Sequence, residues 1–165
     1  MGLKGSDGSV SWTAFAAQRT AMAEAGQRLL VGNDGVAIAF LATAGGAGPR
    51  LAPVCPVFAG TGLYLIAAAS TPKTPDLVTD GRFALHAFLG AGDEEFRVSG
   101  VAVLTESARE RTQVHEAVPF EGFSPHDPVF ELRLNSVLHV WWERVGQPDT
   151  RAIRERWRVG DADPG

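Results

Sequence analysis

The segment Ser70-Thr71-Pro72-Lys73-Thr74-Pro75 places two hydroxyls and an ammonium within four residues, just ahead of a short helical run. Thr74 reads as an N-cap and Pro75 as the first helical residue, where its missing N–H costs nothing, so a short helix is expected over 76–80, stopped by Gly81. Free backbone N–H groups and a partial positive charge gather at such a helix start. Ser70 and Thr71 add hydroxyl donors and Lys73 adds a full charge, which together suit an anion, a phosphate above all. Taken alone, the same residues also read as a solvated turn with an ordinary surface lysine.

The other chemically capable residues have blander readings beside them. Cys55 is the only cysteine, so no internal disulfide and no cysteine-rich metal site is available. It sits in Ala52-Pro53-Val54-Cys55-Pro56 with no basic neighbour, as a buried, inert thiol does. The two prolines there cannot donate to a ladder, which predicts an edge strand or a bulge. Arg50, just ahead, reads as a solvated hairpin residue. His86, His115, His126 and His139 contain no pair at metal-ligand spacing, so no metal is expected. Asp93-Glu94-Glu95 offers paired carboxylates for acid–base work, but reads as a solvated hairpin. Trp141 and Trp142 must face opposite sides of a strand, one toward a core and the other toward solvent or an interface. Arg151, Arg154, Arg156 and Arg158 surround Trp157 in a tail read as solvated and partly helical.

The elements that must position these residues are mostly strands. Ser11 caps a helix whose face carries Trp12, Phe15, Met22 and Leu29. Asn33-Asp34-Gly35 reads as a turn. Strands are expected over 36–43, 51–58, 63–67, 83–89, 95–105 and 129–143, the last read with a break near Asn135-Ser136. Gly100 inside the fifth run suggests a bulge or bend. A further helix is expected over 106–117, and a loop over 119–127. No βαβ rhythm is present, which argues against a doubly wound parallel sheet. A small, closed or partly closed antiparallel barrel fits best, because closure removes strand edges.

Bulk properties narrow the class. The chain has 165 residues, 45% apolar and 21% charged, enough for one domain with its own core. The expected division is a frayed segment over 1–10, a barrel over 11–145 and a basic tail over 146–165. A net charge of −4 argues against a nucleic-acid platform. The N-terminus carries no apolar signal-peptide core, and no apolar run is long enough to span a membrane, so a cytoplasmic protein without membrane partners is expected.

Three ordered pieces carry a family resemblance: GVAIAFLATAGGAGPRLAPVCPVF at 35–58, GLYLIAAASTPKTPDLVTDGRFALHAFL at 62–89 and FRVSGVAVL at 96–104. Together they resemble the pyridoxamine 5′-phosphate oxidase-like, FMN-binding split-barrel superfamily. The resemblance implies a mainly β fold with flanking helices, a six-stranded antiparallel split β-barrel. It implies a homodimer holding FMN, the deazaflavin cofactor or, in some branches, haem at its interface. The family's phosphate-binding serine and lysine fall on Ser70 and Lys73, with Thr71 between them. Pro53, Val54, Cys55 and Pro56 fall on the strand that presents its backbone to the flavin ring, where a flat apolar wall with a few backbone groups is needed. Arg50 falls loosely on a basic phosphate contact. Trp141 becomes a candidate for stacking on the ring, and the arginines of 151–158 for reaching a partner subunit's cofactor phosphate. The chain is short for the type enzyme. The expectation is therefore an FMN-dependent oxidoreductase of a small organic substrate. The alternatives are a deazaflavin-dependent reductase, or a non-catalytic carrier of flavin, haem or another small ligand. Few basic residues (Arg50, Lys73, Arg82) lie near the site, which favours FMN over the longer polyanionic deazaflavin. A haem role would draw its axial ligand from His86 or His139.

Overall fold

A computed structural model describes residues 8–32 and 34–161 of the protein. Asn33 of the expected turn and residues 1–7 of the expected frayed segment lie outside the described residues.

The chain opens with two short helices, α1 (Trp12–Gln18) and α2 (Thr20–Leu30). Ser11 caps α1 by accepting the Ala14 N–H at 3.2 Å. The single helix expected from the apolar spacing is broken at Arg19, whose φ of −140° and ψ of 64° are not helical. The break lets both faces dock: Trp12, Phe15, Met22 and Leu30 all enter the main core.

Eight strands follow rather than six: β1 (Ala39–Gly45), β2 (Gly48–Val54), β3 (Pro56–Ala59), β4 (Gly62–Ile66), β5 (Arg82–Ala87), β6 (Glu95–Leu104), β7 (Val129–Glu143) and β8 (Arg151–Arg158). All their pairings are antiparallel, in the order β2-β1-β5-β6-β7-β4-β3, with β8 on β7. One extra strand comes from the proline-bearing run. It splits at Cys55, pairing with β1 before it and with β4 after it. The two ends of the sheet order are thus one continuous stretch of chain, and the sheet curls into a barrel split at Cys55. The other extra strand is β8, which forms where a solvated, partly helical tail was expected. Trp157 explains this: it is buried, and its indole N–H donates to Gln18 at 3.1 Å.

β7 is the spine. One edge pairs with β6; the other takes β4, then Val10, then β8 in succession. The β6–β7 register slips by one residue between Ser99 and Gly100, leaving Asn135 as the extra residue on β7. A Cβ on Gly100 would lie 1.8 Å from the Arg133 carbonyl oxygen, so only glycine fits this approach.

The barrel interior is filled by Leu41, Leu63, Leu65, Leu85, Phe96, Val98, Phe130 and Leu132. β4 is buried throughout, because α4 (Ala108–Ala117) covers its outer side through Val114, Tyr64 and Ile66. Ser107 caps α4 by accepting the Glu110 N–H. The remaining helix, α3 (Lys73–Thr79), sends Leu77 into the core at one end of the barrel. No helix among the described residues is long and apolar enough to cross a membrane.

Candidate functional site

Ser70, Thr71 and Lys73 stand at the start of α3, but the local structure differs from the expected cap. Pro72, not Thr74, occupies the N-cap position, and the helix begins at Lys73. Thr74 lies inside the helix and is buried, its hydroxyl donating to the Ala68 carbonyl at 2.8 Å. Thr71 donates to the same carbonyl at 2.8 Å. One β4-exit carbonyl therefore gathers two threonines and shapes the loop. Asp127 fixes its other side by accepting the Ala69 N–H at 3.1 Å, so that donor is already used. The Ser70 hydroxyl and the Lys73 ammonium have no partner among the described residues.

The other two cations near this end are taken. Arg82 is held by Asp80 at 2.6 Å. Arg50 donates through Nε to Asp76 Oδ2 at 2.8 Å, and Thr43 donates to the same oxygen at 2.9 Å. Arg50 is thus not the free hairpin residue expected. It and Thr43 bind the β1–β2 hairpin to α3 through Asp76, whose carboxyl they hold below the usual carboxylate range, with the Arg50 hydrogen bond as the larger cause. Gly45 allows the approach: a Cβ there would meet Asp76 Oδ1 at 2.6 Å. A cavity of about 410 Å³ runs along this hairpin, lined by Thr43, Gly45, Pro49, Arg82 and Phe83. Sequence reasoning passed over Asp76; its position four residues into a short helix looks ordinary until the hairpin folds onto it.

Pro53, Val54, Cys55 and Pro56 lie on the seam. The register Pro56↔Leu65 brings Cys55 beside the exit of β4, which leads directly into Ser70–Lys73. These two groups of candidate residues are therefore neighbours. Burial pushes the Cys55 thiol up, away from the reactive thiolate. Pro53 is exposed and sits opposite Phe40, on the outward face of the sheet.

That outward face is apolar on one side and basic on the other. Leu51, Pro53, Phe40 and Phe88 form the apolar part; Phe40 is 40% exposed, and its ring packs on Phe88 at 4.9 Å. His86 stands between, opposite both Phe40 and Arg97. Its Nδ1 lies 2.6 Å from the Ala87 carbonyl oxygen, which can only accept; the Nδ1–H tautomer makes this bond and presents Nε2 as an acceptor. Next come Arg97, then Leu138, then Arg156 in one cross-strand row, with Ser99, Ser136 and Arg158 in the next. No carboxylate pairs with Arg97, Arg156 or Arg158 side chains among the described residues.

Trp141 is elsewhere. It lies near the end of β7 that pairs with the start of β6, whereas α3 meets β6 near Ala102, through the Ala102 N–H bond to Gly81. Seven strand residues separate those points, roughly 20 Å. Within one chain Trp141 does not meet the Ser70–Lys73 group. It packs instead on the His139 ring at 4.8 Å. His139 is buried, and its Nε2 lies 2.8 Å from Glu94 Oε1. Arg28 of α2 grips the same carboxylate with two bonds of 2.7 and 3.0 Å. That grip, helped by His139, holds the Glu94 carboxyl below its usual range. Glu94 is therefore not the solvated hairpin residue expected. No three His, Cys, Asp or Glu side chains gather to hold a metal among the described residues.

No protein-family model matches the sequence, and no curated protein matches it. Solved structures do. A NimC/NimA family protein from Clostridium acetobutylicum superposes with a TM-score of 0.58 at 17% identity, over 82% of this chain and 93% of that one. A haem-binding protein from Mycobacterium smegmatis gives 0.53 at 20% identity, over 72% of this chain and 52% of that one. A pyridoxamine 5′-phosphate oxidase-related, FMN-binding protein from Nostoc punctiforme gives 0.52 at 14% identity, over 83% and 95%. At these identities the likeness is one of fold: the chain shares the split β-barrel of these structures.

Proposed function

We propose that the barrel binds a flavin-type cofactor, FMN first, between two copies of the chain, and works as an oxidoreductase on a small organic substrate. The observation that carries this reading is the unpaired Lys73. Of the three cations at its end of the barrel, Arg50 and Arg82 are neutralised by Asp76 and Asp80, while Lys73 keeps its charge for a ligand beside the Ser70 hydroxyl. An ammonium and a hydroxyl at a helix start fit a phosphate monoester. The adjacent Pro53–Pro56 run and Phe40 offer the flat apolar wall that a fused ring needs. Once bound, the flavin supplies the hydride and electron transfer. The protein's residues then do three things. Lys73 and Ser70 hold the phosphate, the backbone of the Pro53–Pro56 run backs the ring, and the Arg50–Asp76–Thr43 cluster keeps hairpin and helix in register.

The dimer is part of the proposal. The exposed Phe40, Leu51 and Phe88 side chains make a continuous apolar face of the kind interfaces cover. A second copy there would also bring Arg97, Arg156 and Arg158, from two neighbouring rows, toward the first copy's site.

These arginines support one further reading within the same fold. Three guanidiniums without carboxylate partners suit a longer polyanionic tail, so the deazaflavin cofactor is the second candidate. Haem is the third, with His86 Nε2 as the available donor. Spectra decide among them. The purified protein is titrated with FMN, with the deazaflavin and with haem, and Lys73→Ala is titrated in parallel. Tight FMN uptake that weakens by about 1–3 kcal/mol in Lys73→Ala supports the reading. Uptake of none of the three overturns it, and unchanged FMN affinity in the variant removes Lys73 from the site.

A further inference from the structure

We propose that a second site lies at the opposite end of the barrel, where His139 and Glu94 form an acid–base dyad that takes a planar aromatic molecule carrying a dissociable proton, a phenol or an N–H heterocycle. The proposal does not rest on the flavin reading. A cavity of about 420 Å³ opens there, lined by Ala91, Gly92, Glu94, His139, Trp141 and Trp142 together with Val145. Its size is in the range of small-molecule sites, and two indoles dominate its apolar walls.

The imidazole is held as an oriented base would be. Nε2 donates to Glu94 Oε1 at 2.8 Å, Phe96 meets the ring edge-on, and Trp141 packs on it. Nδ1 has no partner among the described residues and is not sealed off, while the ring itself lines the cavity. Glu94 fixes the tautomer and balances the imidazolium that forms when Nδ1 takes a proton. Arg28, from α2, locks the carboxylate. Among the described residues Glu155 is the cross-strand neighbour of His139 on β8. The step is a proton transfer: the ligand O–H or N–H bond breaks, its electron pair stays on the ligand, and an Nδ1–H bond forms.

The probe is 4-nitrophenol, whose phenolate absorbs visible light, with 4-nitroanisole as the same ring lacking the proton. Binding to the full chain is followed by indole fluorescence and visible absorbance across pH. The expected result is selective uptake of the phenol, with the bound phenol ionising at lower pH than in free solution. Glu94→Gln should shrink that displacement, and His139→Gln should abolish it with an affinity loss of about tenfold or more. Equal binding of the anisole, an unshifted phenol titration, or no binding of either probe overturns the proposal. Should His139→Gln fail to fold, the wild-type pH profile and the anisole comparison still decide.

Discussion

Replacing Gly100 with alanine tests the packing that holds both ends of the barrel in place. The added Cβ would stand 1.8 Å from the Arg133 carbonyl oxygen, 2.8 Å from its carbon and 3.0 Å from the Leu134 Cα, all backbone atoms that no rotamer change can move. Relief requires β7 to retreat by more than about 1 Å, enough to break any hydrogen bond across the gap. The pairs Ser99↔Ser136 and Gly100↔Leu134 flank the slip, and each ladder bond lost there costs about 1 kcal/mol. The retreat also loosens Val98, Leu134 and Val137, which are buried in the core on either side. The expected cost is about 3–5 kcal/mol, a large part of an ordinary domain's stability of about 5–15 kcal/mol.

Urea unfolding at fixed protein concentration reads this directly, since any dimer makes the midpoint concentration-dependent. With a slope of about 2 kcal/mol per molar, the midpoint should fall by roughly 2 M. Gly46→Ala is the contrast. Nothing lies within 4 Å of its added Cβ, so its stability should stay within about 0.5 kcal/mol of wild type or rise slightly. A Gly100→Ala midpoint within 0.5 M of wild type would refute the close-approach argument, as would an equal loss from both variants.

Three other outcomes follow from the same geometry. Light scattering should give about twice 17.5 kDa for the wild type and the single-chain mass for Phe40→Glu, because a charge would be buried in the apolar face; an unchanged mass in the variant would clear this face of any role. Glu94 titrates below its ordinary value of 4.5 in the folded state, so its contribution to stability is present above that value and lost as pH falls through the lower folded value. Glu94→Gln should accordingly flatten the acid side of a stability-against-pH curve, and an unaltered curve would mean that the Arg28 and His139 contacts contribute nothing. Ser11→Ala removes the hydroxyl that caps α1 and should cost about 1 kcal/mol in urea unfolding, with no loss arguing that the cap is idle.

Much of the barrel was legible because its strands are short apolar runs punctuated by glycine and proline, and closure is the arrangement that hides their edges. The reading failed where one local signal had two structural uses. The prolines of 51–58 announced an edge strand, yet they mark the point where the run changes partner at Cys55, which depends on β1 and β4 both being present. The tail looked solvated from its arginines alone. Its strand character lies in the alternation that buries Trp157 while Arg156 and Arg158 stay out, a pattern that has meaning only beside β7. Gly100 and the Asn135-Ser136 irregularity were noticed separately and turn out to be two sides of one bulge. At the site, the hydroxyl and lysine types of 70–73 were readable, whereas Asp76, Glu94 and Arg28 were not. Each lies far in sequence from the partners that give it a role, and solvated carboxylates and guanidiniums look the same in a sequence.

Charge pairing accounts for the division of labour between the two ends. Near α3, Asp76 and Asp80 remove Arg50 and Arg82 from competition, which leaves one ammonium and concentrates the local positive charge at Lys73. At the far end the order is reversed: the guanidinium of Arg28 serves the carboxylate, and the carboxylate serves an imidazole that faces a cavity. On the two proposals above, one end would hold a fixed anion and the other would exchange a proton. β6 and β7 join them as a continuous two-stranded ladder, interrupted only at the Gly100 bulge. The bulge lies between the two ends, at a point where local twist increases. Destabilising it should therefore impair both sites together, while Lys73→Ala and His139→Gln should each impair one alone.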